Sequence, residues 1–178
     1  NTGGRLLSLS ELRGRFVLLD FWTFCCANCL HVIDELRPLE HKFADALTVI
    51  GVHSPKFEYE ADAAALAAAV ERYEVHHPVL DDPDLITWKQ YGARAWPTLV
   101  LIDPEGYIVA QLSGEGHAHA LDALLVELVD LHAGRGTHAM REALLSALRG
   151  FRGSLLANDD STFLLARRRV SLCPPARP

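Results

Sequence analysis

Cys25-Cys26-Ala27-Asn28-Cys29 gathers three of the chain's four cysteines into five residues, directly after the apolar run Phe16–Trp22. That spacing straddles the point where a strand ends and a helix begins. Two thiols three residues apart on the first turn of a helix share one face and can close a small ring, which makes Cys26 and Cys29 a reversible redox pair. The unpaired N–H groups and dipole of a helix N-terminus favour an anion, so a thiolate at Cys26 is stabilised there. Cys26, expected to be the more exposed, is the candidate nucleophile. Cys29, one turn further in, is the candidate resolving thiol. Cys25 reads either as a third redox thiol or as a small apolar filler, and its type favours the filler.

Asp20 is an acid inside an otherwise apolar run. Buried and unpaired, a carboxylate costs several kcal/mol or stays protonated with a raised pKa. The alternative is a strand-end acid that reaches water. Pro97 opens another apolar segment, a position proline tolerates because it has no N–H to give to the ladder.

These residues need a scaffold. Residues 16–22 and 47–53 are short, apolar and nearly charge-free, as buried strands are. Residues 27–45 place Leu30, Ile33, Leu36, Leu39 and Phe43 on one helical face, with Pro38 inside to kink it. An Ala-rich helix is expected over 60–74, a short extended piece at Val79-Leu80, and a helix over 84–91 stopped by Gly92. Pro97–Asp103, the turn Asp103-Pro104-Glu105-Gly106 and Tyr107–Leu112 read as a hairpin, followed by a helix over 118–132. Strands alternating with helices before a hairpin imply an α/β fold with a central mixed sheet flanked by helices on both faces.

The chain has 178 residues, 49% of them apolar, with a net charge of -6. This supports one globular core plus an appendage and gives no reason to expect nucleic-acid binding. No apolar run approaches the ~20 residues of a membrane span. There is no secretory signal, yet the chain begins at Asn1, which leaves a removed targeting segment open. Four cysteines, three of them within five residues, are too few and too clustered for a disulfide scaffold. One globular domain is expected over 1–133, and a linker, an amphipathic helix near 138–149 and a flexible tail over 134–178. Arg167-Arg168-Arg169 reads as a solvated stretch, and Cys173, alone in the Pro-rich tail, has no expected role.

Asp20-Phe21-Trp22 before Cys26-Ala27-Asn28-Cys29, with Trp96-Pro97-Thr98 ahead of a strand, resembles the thioredoxin superfamily. Leu101–Gly106 is similar to its TlpA-like branch. Phe21 through Cys29 and Gly51-Val52-His53-Ser54-Pro55 are similar to thioredoxin-like domains fused to NHL repeats and to DipZ-type domains. The resemblance covers about residues 5–132. It implies a thioredoxin fold, a buried acid at Asp20 that relays the proton of the resolving Cys, and a cis bond before Pro97. It further implies that Trp96 and Pro97 present an extended substrate. Trp96, bulky for that place, either shields the sulfur or packs at the rim. The implied activity is thiol–disulfide exchange on protein disulfides, with an external thiol reductant or oxidant and no cofactor. A cytoplasmic site favours reductase work; a periplasmic or other extracytoplasmic site leaves the direction open.

Other readings compete. Cys25 and Cys29 form Cys-x-x-x-Cys, which with a distant His117 or His119 suits copper or zinc. A peroxidase reading rests on Thr23, three residues before Cys26, but lacks the proline expected ahead of it. A docking module without turnover has no need of two thiols at a helix start. His31 reads as a solvated helix residue, His76-His77 as surface, and Glu115 as a turn acid.

Overall fold

A computed structural model describes residue 2 and residues 7–134. Its elements are β1 (Phe16–Trp22), α1 (Ala27–Lys42), β2 (Leu47–His53), α2 (Ala63–Arg72), β3 (Val79–Asp81), α3 (Ile86–Tyr91), β4 (Thr98–Ile102), β5 (Ile108–Ser113) and α4 (Ala118–Gly134), with a 3-10 turn at Glu58–Ala61. The strands form one sheet in the order β3-β2-β1-β4-β5. β1 pairs parallel to β2 and antiparallel to β4, so the strand that leads into the cysteines is central. Parallel pairing needs a crossover, which α1 supplies between β1 and β2.

Every residue of β1 is buried, because both faces of the sheet are covered. On one face Leu18 packs with Val32 and Leu36 of α1 and with Leu121, Leu125 and Leu128 of α4. On the other, Val17, Leu19 and Phe21 meet Trp88 and Tyr91 of α3. Each fully buried Leu or Phe contributes about 1.5–3 kcal/mol. A third cluster, Trp22, Cys29, Ile33, Leu66 and Val75, lies under the cysteine loop and ties α1 to α2.

The expected elements are present, with shifted edges. α1 runs past Pro38 but ends at Lys42, where the Phe43 N–H closes on Leu39 O. The Ala-rich helix starts only at Ala63, because Asp62 caps it by accepting the Ala65 N–H at 2.8 Å. Residues 58–61 before it form the tighter 3-10 turn. In the hairpin turn Gly106 takes φ 85°, a conformation that favours glycine, while the Tyr107 N–H binds Asp103 Oδ1 at 2.8 Å. The readings of residues 138–149, 167–169 and Cys173 lie outside the described residues.

Candidate active site

β1 ends at Trp22, and the turn closed by the Cys26 N–H on Thr23 O delivers the chain to α1. Cys26 is the N-cap of that helix, in extended backbone geometry (φ -115°, ψ 108°). A cap residue ordinarily offers an oxygen to the orphan N–H groups of the first turn. Here the offered atom is sulfur: Cys26 Sγ accepts the Cys29 N–H at 3.3 Å. Cys26 is half-buried and Cys29 wholly buried. The pair therefore has an outer and an inner member, as the helical spacing predicts.

Burial is the main cause that pushes the Cys29 thiol far above its ordinary range, with the Cys26 sulfur adding to it. Beneath it, Asp20 is also wholly buried, and neither carboxyl oxygen has a hydrogen-bond partner among the described residues. Burial, then the charge of Glu40, pushes the Asp20 carboxyl up to about 8. The acid does not reach water at the strand end. It is the kind of group that takes up a proton near neutral pH.

The Trp96–Pro97 bond is cis, as the resemblance implies. Pro97 is buried, and its carbonyl accepts the Gly114 N–H at 2.9 Å. The Trp96 ring stacks on Trp88 with centroids 4.2 Å apart, and its Nε1–H donates to Ser54 O at 2.8 Å. Trp96 and Cys26 both pack against the cluster that contains Trp22 and Cys29.

Cys25 is not the buried filler its residue type favoured. It is exposed, and its sulfur lies 3.1 Å from the Tyr59 hydroxyl. The turn that starts α1 points it outward, away from the apolar cluster that receives Cys29. His117 Nε2 contacts Ser113 O at 2.9 Å, and His119 is exposed. Among the described residues no three His, Cys, Asp or Glu side chains converge as a metal site, so the structure does not assemble Cys25, Cys29 and a histidine. His31 Nδ1 and Glu115 Oε2 do meet, at 3.0 Å, on the exposed surface.

Three positions escaped the sequence. Glu60 is wholly buried and anchors two loops at once. One carboxylate oxygen accepts from Thr23 Oγ1 and from the Cys25 N–H at 3.0 Å; the other accepts the Lys56 and Phe57 N–H groups, each at 2.8 Å. Burial alone would raise this carboxyl, but the four donors outweigh it and hold it below the usual range. No sequence signal foretells it, because Phe57 at the N-cap of the 3-10 turn has no side-chain acceptor and the Ser/Thr-x-x-Glu pattern of a capping box is absent. His53 is buried under the loop, stacked 5.3 Å from Phe24, and burial lowers its pKa to about 4, so it stays neutral. His77, read as surface beside exposed His76, is instead buried, because Gly51 leaves room for its ring.

Glu60→Gln replaces one acceptor oxygen with a donor facing either two N–H groups or an N–H and a hydroxyl. Hydrogen bonds to charged groups are worth about 1.5–3 kcal/mol each, so the variant should lose roughly 3 kcal/mol of stability in chemical denaturation. A carboxylate lowered in the folded state contributes its stability above the unfolded pKa and loses it as pH falls through the folded one. The difference between wild type and variant should therefore shrink in acid. A difference that persists unchanged at pH 2 would refute the ionic account.

Residues 14–108 match the family model described as thioredoxin-like. The chain belongs to that family. It is 44% identical over 126 residues to protein SUPPRESSOR OF QUENCHING 1, chloroplastic, of Arabidopsis thaliana, covering 70% of this chain and 12% of that protein. To NHL repeat-containing protein 2 of Gallus gallus it is 43% identical over 123 residues, covering 68% of this chain and 17% of the relative. The chain thus spans less than a fifth of the length of these curated relatives. Among solved structures, the exposed lipoprotein thioredoxin of Streptococcus pneumoniae superposes with a TM-score of 0.62 at 30% identity, over 70% of this chain and 93% of that one. The thioredoxin-like chain is therefore related to DipZ and to thiol-disulfide oxidoreductases, as the sequence motifs imply. Among the described residues no helix is long and apolar enough to cross a membrane.

Proposed function

We propose that this thioredoxin-like domain is a thiol–disulfide oxidoreductase working through Cys26 and Cys29. The observation that carries the reading is the asymmetry of the pair. Cys26 caps the helix half-exposed with a hydrogen bond to its sulfur, and Cys29 lies buried behind it above an unpartnered Asp20. Inert structural cysteines need neither the cap nor the acid.

In the reducing direction the Cys26 thiolate attacks one sulfur of a substrate disulfide, breaking that S–S bond and releasing the first substrate thiolate. A mixed disulfide remains on Cys26. Cys29 gives its proton to Asp20 and, as thiolate, attacks Cys26 Sγ. The second substrate sulfur leaves with the electron pair of the bond that breaks, and the domain is left oxidised. An external thiol reductant restores it; an external oxidant drives the cycle in reverse. Trp96 and Pro97 line the entry and hold the substrate chain beside Cys26. Among the relatives, an exposed lipoprotein and a chloroplastic protein favour an extracytoplasmic or organellar compartment over a cytoplasmic one.

The test is reduction of a model protein disulfide by the pre-reduced chain, with thiols counted. One disulfide reduced per chain, and the same count from Cys25→Ser, is expected of a two-thiol exchanger. Loss of that equivalence in Cys25→Ser would instead make Cys25 a third redox thiol.

A further inference from the structure

β1 sets Asp20 directly across from Gly51 of β2 in the parallel register, and across from Leu99 of β4. Paired residues of a parallel sheet point to the same face, so a side chain at position 51 would stand beside the Asp20 carboxyl. Glycine leaves that space open, and two polar atoms occupy it. A Cβ on Gly51 would lie 2.9 Å from Trp22 Nε1 and 3.1 Å from His77 Nε2. The other ring nitrogen of His77, Nδ1, contacts Glu40 Oε1 at 2.7 Å. An ionised carboxylate only accepts, so the ring donates from Nδ1 to Glu40, and Nε2 is the ring atom that lies at the Gly51 gap.

Glu40 lies eleven residues after Cys29 on α1, three turns along the same stripe, past Ile33 and Leu36. Its side chain is 25% exposed, whereas that of His77 is 4% exposed. The polar groups facing Asp20 are thus Cys29 and Glu40 from α1, Trp22 from its own strand, and His77 from the segment before β3. From inside to outside they run Cys29, Asp20, His77, Glu40, solvent.

We propose that the Glu40–His77 pair is the proton exit of the cysteine site, taking from Asp20 the proton that Cys29 surrenders on resolving the mixed disulfide. The inference rests on the oxidoreductase reading. Cys29 S–H passes its proton to the Asp20 carboxylate and becomes the attacking thiolate. The Asp20 carboxylic acid releases that proton across the Gly51 gap, through one bridging water, to His77 Nε2. The ring gives up its Nδ1 proton to the Glu40 carboxylate, which returns it to solvent. One proton enters and one leaves: Glu40 ends as it began, and His77 ends as its Nε2–H tautomer, which the reverse sequence restores. The reverse sequence supplies the proton when the pair is reduced again. Glu40 also sets the charge beside Asp20, as the second cause of the raised carboxyl.

Stopped-flow kinetics with a chromogenic aromatic disulfide separates the two steps, release of the first thiol by Cys26 and of the second by Cys29. His77→Gln should slow resolution about tenfold relative to attack. Glu40→Gln should move the half-maximal pH of resolution downward, since a negative charge beside Asp20 is gone. It should equally lower the pH at which the carboxylic C=O infrared band of Asp20 disappears from the reduced protein. A resolution-to-attack ratio within twofold of wild type in His77→Gln overturns the relay. So does a Glu40→Gln pH profile that superimposes on the wild type. A His77→Gln chain that fails to fold leaves the decision to Glu40→Gln, which keeps the ring. Should Cys26 release no first thiol in the wild type, the oxidoreductase reading fails by itself, and the infrared titration still tests the contact between Glu40 and Asp20.

Discussion

Cys29→Ser should convert the domain from an exchanger into a trap. A hydroxyl at the buried position cannot attack Cys26 Sγ, so the mixed disulfide formed in the first step persists. Turnover should fall on the order of a thousandfold or more, as it does when a covalent-catalysis nucleophile is lost. Substrate proteins should then remain bound through Cys26, separable by reductant and identifiable by mass spectrometry. Cys26→Ser should trap nothing, because Cys29 is wholly buried and no substrate disulfide reaches it. The asymmetry between the two variants is the sharper result. Equal trapping by both would mean that either thiol can be attacked from outside, contrary to the cap geometry. Partners joined through exposed Cys25 would reassign the nucleophile. A Cys29→Ser chain that turns over like wild type would remove the resolving step altogether.

The parts of this site that could be read from the chain are those carried by short-range patterns. β1 and β2 announce themselves because a strand covered on both faces must be apolar throughout, and the helical spacing of Cys26 and Cys29 fixes which is outermost. Asp20 was conspicuous as a charge in such a strand. Glu60 was not, because an acid among the polar residues 56–62 looks solvated. Its burial depends on the loop after β2 folding back onto Thr23, a contact across 37 residues. His77 failed for a related reason. The cavity that buries its ring is made by a missing side chain 26 residues earlier, at Gly51. A lone glycine within an otherwise apolar strand marks close approach by another group, and in Leu47–His53 that signal was available. Cys25 went wrong because a free cysteine is ordinarily a buried apolar residue, whereas the turn into α1 aims this one outward.

Asp20→Asn should make the protein both more stable and slower. The carboxyl has a folded-state pKa raised from 3.8 to about 8. Between those values the folded chain holds a proton that the unfolded chain has released. Stability is therefore full below pH 3.8, declines as pH rises through this window, and levels off above about pH 8. At about 1.4 kcal/mol per unit the loss at pH 7 approaches roughly 4 kcal/mol as an upper figure. An asparagine carries no such proton, so its stability curve should lack this slope. Denaturant unfolding should show the variant level with wild type near pH 4, where both bury an uncharged polar group, and ahead by up to roughly 4 kcal/mol at pH 7. The resolving step should slow by about a hundredfold, the scale of a lost general base, while attack by Cys26 changes little. Disruption of packing would lower stability and slow both steps together. The two effects move in opposite directions only if the same buried carboxyl is a burden to the fold and a base for Cys29. A variant with the wild-type pH slope, or with an unaltered pH dependence of resolution, would show that Asp20 serves neither role.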